Sequence, residues 1–232
     1  MKTWKKILLA VLAALALLLG GLCVWQWDNI QAVYAFLTKD SAQIARDLEQ
    51  KREEHHQAIA DIVGGLEVQA PTAQQGDAIL SGAMTPEQVK EELGITAQLE
   101  KTEPARDPQA GEEGAAEAVR ELLRRCVAEL YACKVDILGT LAQLKQEALA
   151  EWFALPAEQQ TDTRLKEIGL AGLRECYALE AVTDDQVREI LGRCKTGLEE
   201  LDADTAVLDE LWDYYTDEKT AEKAYYLDKY LN

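Results

Sequence analysis

Residues 115–153 read AAEAVRELLRRCVAELYACKVDILGTLAQLKQEALAEWF, and this run decides the fold. Apolar side chains recur at Val119, Leu122, Cys126, Leu130, Cys133, Ile137, Leu141, Leu144, Ala148 and Trp152. Steps of three and four sustained this far predict one long amphipathic helix. Leu155-Pro156 ends it, because the residue before a proline is pushed out of helical geometry. Residues 163–181 predict a second helix with Leu165, Ile168, Gly172, Leu173, Cys176 and Leu179 facing inward. Thr183-Asp184-Asp185-Gln186 has the form of a capping box and predicts the start of a third. That helix carries Val187, Ile190, Leu191, Cys194, Leu198 and Leu201. In the tail, Leu208, Leu211, Tyr215, Tyr226 and Tyr230 share a face. No stretch has the alternation of a strand. Short loops between amphipathic helices imply antiparallel neighbours, so residues 115–232 predict an all-α, antiparallel three- or four-helix bundle that folds by itself.

Upstream the composition changes. No aromatic residue lies between Phe36 and Tyr131, and glycine and proline crowd residues 64–114. Such a segment lacks the large apolar groups needed to offset ordering entropy, which predicts a flexible segment. It holds one local helix, residues 86–93, capped at Thr85-Pro86-Glu87-Gln88 and stopped at Gly94. Residues 28–63 predict a membrane-proximal stalk helix, with Asp40 and Gln43 as cap partners and Gly64-Gly65 as the stop. Its middle, EQKREEHHQ at residues 49–57, has no apolar residue.

Residues 1–27 predict a cytoplasmic stub and a transmembrane anchor. The run from Ile7 to Trp27 is uncharged. As a helix it is long enough to cross a hydrocarbon core of about 30 Å. Ala14-Leu15-Ala16 resembles a cleavage site but lies mid-run, with leucines following. Cys23 is out of register for lipidation, since Leu22 precedes it and Gly20-Gly21 sit one step upstream. Lys2, Lys5 and Lys6 precede the run, and Asp28 follows it. The positive-inside rule then puts the N-terminus in the cytoplasm and the bulk of the chain outside.

The VWQWDNIQAVYAFLT stretch after the anchor, the LSGAMTPEQVKEELG unit, the long helix and the terminal EKAYYL together resemble uncharacterised single-pass membrane-anchored helical proteins of Gram-positive bacteria. The resemblance spans most of the chain. It implies an anchor and a helical body, and it brings no activity and no site residues.

Chemistry is sparse. The formal net charge is −18, and all 42 acidic residues follow Trp27. That argues against nucleic acid, which basic patches bind, and suits a cationic protein partner. His55 and His56 are the only histidines. Neighbours on a helix point about 100° apart, so the pair cannot share a metal as an i,i+4 pair would. No catalytic, cofactor-binding or metal residue is assigned. Cys126, Cys133, Cys176 and Cys194 lie on apolar stripes. Unpaired core thiols, one Cys176–Cys194 disulfide across a turn at Thr183, and a four-thiolate zinc site stay open as alternatives. The aromatics of residues 211–232 either complete the core or grip a partner, with Trp212, Tyr214 and Tyr225 as the surface candidates. The sequence therefore predicts a non-enzymatic, membrane-tethered interaction or scaffold protein, with self-association open. The alternatives are an envelope enzyme using surface-groove carboxylates and a lipoprotein-like solute-binding module.

Overall fold

A computed structural model describes residues 38–65, 68–101 and 111–231. The predicted anchor and residues 102–110 of the predicted linker lie outside the described residues. The described chain is all helix. The helices are α1 (Ser41–Val63), α2 (Ala73–Ser81), α3 (Pro86–Glu92), α4 (Ile95–Leu99), α5 (Glu112–Ala154), α6 (Asp162–Glu200) and α7 (Val207–Leu231). A 3-10 turn, Ala157–Gln159, joins α5 to α6. The described residues fall into two compact units: those between 55 and 211 form one, and 38–54 together with 212–231 form the other.

In the first unit α5 is the axis. It is 43 residues long, or about 64 Å. α6 packs along it, and three side-chain contacts fix the pair as antiparallel. Arg193 meets Glu129 at 2.5 Å, the Cys133 thiol lies 3.6 Å from Gln186 Oε1, and Arg164 meets Glu151 at 2.7 Å. The predicted stripe of α5 is its seam with α6. At Gly197 a Cβ would sit 2.8 Å from Leu122 Cδ2, so glycine lets the two helices approach closely there.

The helix predicted to begin at Thr183 does not exist as a separate element. α6 runs unbroken for 39 residues. Thr183 is buried, and its hydroxyl donates to the Leu179 carbonyl at 2.8 Å, one turn back within the helix. A threonine bonded this way is a helix-interior residue rather than a cap. Asp185 pairs with Arg188 instead.

The second departure from the sequence reading concerns residues 68–101, expected to be flexible beyond the helix at 86–93. They form α2, α3 and α4, which pack on the other face of α5. Val68, Ile79, Leu80, Val89, Leu93 and Ile95 are buried with Leu123, Val127, Val135 and Leu138 of α5. Burying each such side chain contributes about 1.5–3 kcal/mol before entropy is counted. Thr72 with Gln75 and Thr85 with Gln88 form complete capping boxes. Gly82 and Gly94 close helices at φ 77° and 74°, where L side chains are strained. Two of the glycines that suggested mobility, Gly82 and Gly94, are the punctuation of these short helices.

In the second unit the start of α1 packs antiparallel to the end of α7, with Ser41 bonded to Asp228, Ile44 packed with Ala224, and Lys51 bonded to Asp217. Asp40 caps α1 as expected, accepting from the Gln43 amide at 2.8 Å.

Candidate interaction surfaces

The tail aromatics proposed from the sequence are half-buried. Trp212 and Tyr215 have ring centroids 5.4 Å apart, and Lys219 Nζ lies 5.2 Å from the Tyr215 ring centre. Tyr225 packs against the small core of Ile44 and Ala224 and meets the Tyr226 ring at 5.1 Å. Tyr214 is likewise half-buried. None of Trp212, Tyr214 and Tyr225 stands out as a free ring.

The polar middle of α1 hides a charge. Arg52 is only 5% exposed and takes the helix position that an apolar residue would fill after Ile44 and Leu48. Its guanidinium meets Glu49 at 3.0 Å, Glu218 at 3.1 Å and Glu222 at 2.6 Å. Burial opposes the charge, but Glu222 and Glu218 outweigh it and hold the arginine more firmly protonated than usual. A buried charge is tolerated only when paired and hydrogen-bonded, and here three carboxylates meet that need. This cluster is structural, since its groups are satisfied by one another.

The exposed apolar surface lies elsewhere. Among the described residues every large apolar side chain that is exposed falls between residues 149 and 182: Leu149, Phe153, Leu165, Leu170, Leu173, Tyr177 and Val182. Phe153 is the most open at 72%. Leu149, Phe153, Leu165, Leu170 and Leu173 form the tip of the α5–α6 hairpin, beyond the reach of the α2–α4 layer, while Tyr177 and Val182 continue the exposed apolar surface further along α6. That layer ends near Lys145, whose ammonium donates to the Leu80 carbonyl, and near Gln146, whose amide lies beside Gly82.

Leu149 and Phe153 are one turn apart, and Leu170, Leu173 and Tyr177 follow at helical spacing, so each helix presents a strip. The turn itself is well held. Gln160 Nε2 donates to the Leu155 carbonyl at 3.0 Å, satisfying an end of α5, and Thr161 caps α6 by accepting from the Arg164 amide. Arg164 bridges the hairpin to Glu151. The tip is thus an ordered helical platform with apolar strips outward. The sequence reading placed Leu165 and Leu173 in a core because it supplied a third helix to cover them.

The four cysteines are thiols in the structure. With α6 continuous, Cys176 and Cys194 are 18 positions apart on one helix, about 27 Å along its axis, so the disulfide considered between them cannot form. Burial and the nearby Asp136 push the Cys133 thiol up to about 11, and burial with Glu175 raises Cys176. Neither favours a thiolate at neutral pH. Among the described residues no three His, Cys, Asp or Glu side chains gather where they could hold a metal, and no helix is long and apolar enough to cross a membrane.

Comparison of the chain with protein-family models, curated proteins and solved structures gives no match.

Proposed function

We propose that this chain is a membrane-tethered, extracytoplasmic interaction or scaffold protein whose docking surface is the tip of the α5–α6 hairpin. The tether rests on the uncharged Ile7–Trp27 run and its lysine-rich flank. The docking role rests on one observation: the exposed large apolar side chains of the described residues are confined to residues 149–182. Apolar surface gathered on an ordered element, rather than scattered singly, is the usual mark of a protein-binding face. The acidic excess of the chain would steer a cationic partner and fade as salt rises, because exposed charges are screened within about 8 Å at physiological ionic strength.

The test uses the full chain as bait with Phe153→Glu and Leu170→Glu variants. Partner capture should fall at least tenfold while helicity and melting temperature stay as in the parent. Unchanged capture by both folded variants would refute the assignment of the surface.

A further inference from the structure

The α5–α6 seam has a register that its own contacts define. Leu122 meets Gly197, Glu129 meets Arg193 and Cys133 meets Gln186, so residues equally far before and after Gln160 face each other to within about a turn. Cys126 and Cys194 are equidistant from Gln160 and therefore stand opposite across the seam. Each is 4% exposed, and each thiol is the leading influence on the acidity of the other. Cys133 and Cys176 have no such partner in this register: the first lies against Gln186, and Leu144 occupies the position opposite the second.

We propose that Cys126 and Cys194 are a disulfide site that staples α6 to α5. The electron acceptor is another disulfide, either of a small thiol such as oxidised glutathione or of an oxidoreductase. Cys194 loses its proton and attacks one sulfur of that disulfide, releasing one thiolate and leaving a mixed disulfide on Cys194. The Cys126 thiolate then attacks the Cys194 sulfur and releases the second thiolate. The S–S bond of the oxidant breaks as the Cys126–Cys194 bond forms, and two protein thiol protons pass to solvent and the departing thiolates.

The two thiols shift each other: Cys126 draws the Cys194 thiol below its usual range, while Cys194 and burial raise Cys126. Both sulfurs are enclosed, so exchange happens as the seam closes during folding or when it opens. The consequence is mechanical. α6 is held chiefly along one seam with α5, and a bond inside that seam also closes the loop carrying the hairpin tip.

The experiment takes the full chain, unfolded and refolded in glutathione buffers of graded oxidation, then alkylated in denaturant without reductant. The chain has five cysteines. In oxidising buffer three should alkylate, and mass mapping should recover a linked pair of peptides containing Cys126 and Cys194. With reductant all five should alkylate. The oxidised form should melt higher than the reduced form by more than about 5 °C, as closing a long loop predicts. This difference should vanish in Cys126→Ala. Five free thiols at every glutathione ratio would overturn the proposal, and so would a bond using Cys133 or Cys176. The mapping is done on the unsubstituted chain, so it decides even where the alanine variant folds poorly. It is also independent of which side of a membrane the chain occupies.

Discussion

The two ends of α5 carry the same kind of sequence and meet different surroundings. Between Leu122 and Ala142 the helix has two apolar stripes and both are covered, one by α6 and the other by α2–α4. Leu149 and Phe153 continue the second stripe at the same spacing, but the covering layer has ended and both are exposed. Periodicity therefore says that a face is apolar, and the length of the neighbouring layer decides whether that face is core or surface. The difference separates a stabilising part of the hairpin from a part free to bind.

The comparison breaks most visibly if the covering layer is removed. A chain lacking residues 68–101 leaves Leu123, Val127, Val135 and Leu138 without their neighbours. Its denaturant unfolding should lose cooperativity. A sharp two-state transition in that truncation would mean that α5 and α6 suffice alone.

Single substitutions sharpen the contrast. Leu138→Ala under the cover should cost about 2–5 kcal/mol, whereas Leu170→Ala at the tip should change stability by less than about 0.5 kcal/mol. Urea midpoints for the two variants measure this directly. In the other unit, Arg52→Ala removes the buried guanidinium that Glu218 and Glu222 share and should cost about 3 kcal/mol by the same assay. Gly139 provides a finer probe. A Cβ there would lie 2.5 Å from Pro86 Cγ, a ring that cannot rotate away. Gly139→Ala should therefore push α3 off α5 and cost about 1–3 kcal/mol, while Gly172→Ala, which meets nothing within 4 Å, should not destabilise.

Much of the hairpin was legible in the sequence. The stripe from Val119 to Trp152 meets α6 at Leu122 and Cys133, and of the residues predicted inward on the two following segments Ile168, Val187, Ile190, Leu191, Cys194 and Leu198 are buried along the single α6, while Leu165 and Leu173 are exposed. The false break came from Thr183, whose hydroxyl serves equally as a cap or as a bond to the preceding turn; neighbouring residues in sequence do not distinguish the two. The α2–α4 layer was missed for another reason. Its core is aliphatic, so the absence of aromatics looked like the absence of a core, although Thr72 and Gln75 repeat the capping signal recognised at Thr85 and Gln88. Arg52 could not be read at all. Its partners Glu218 and Glu222 lie at the far end of the chain, and only tertiary structure turns a polar stretch into a packed one. The tip followed from the same errors, since a surface is defined by the helix that is not there to cover it.

The proposed docking face is the hairpin tip rather than the aromatic tail. Photo-cross-linking side chains placed singly at positions 153, 170, 185, 214 and 225 of the full chain in living cells test it most directly. Partner adducts are expected from 153 and 170 and none from 185, an exposed α6 position beyond the apolar strip. Adducts from 214 and 225 with none from 153 and 170 would contradict it and return the binding surface to the tail.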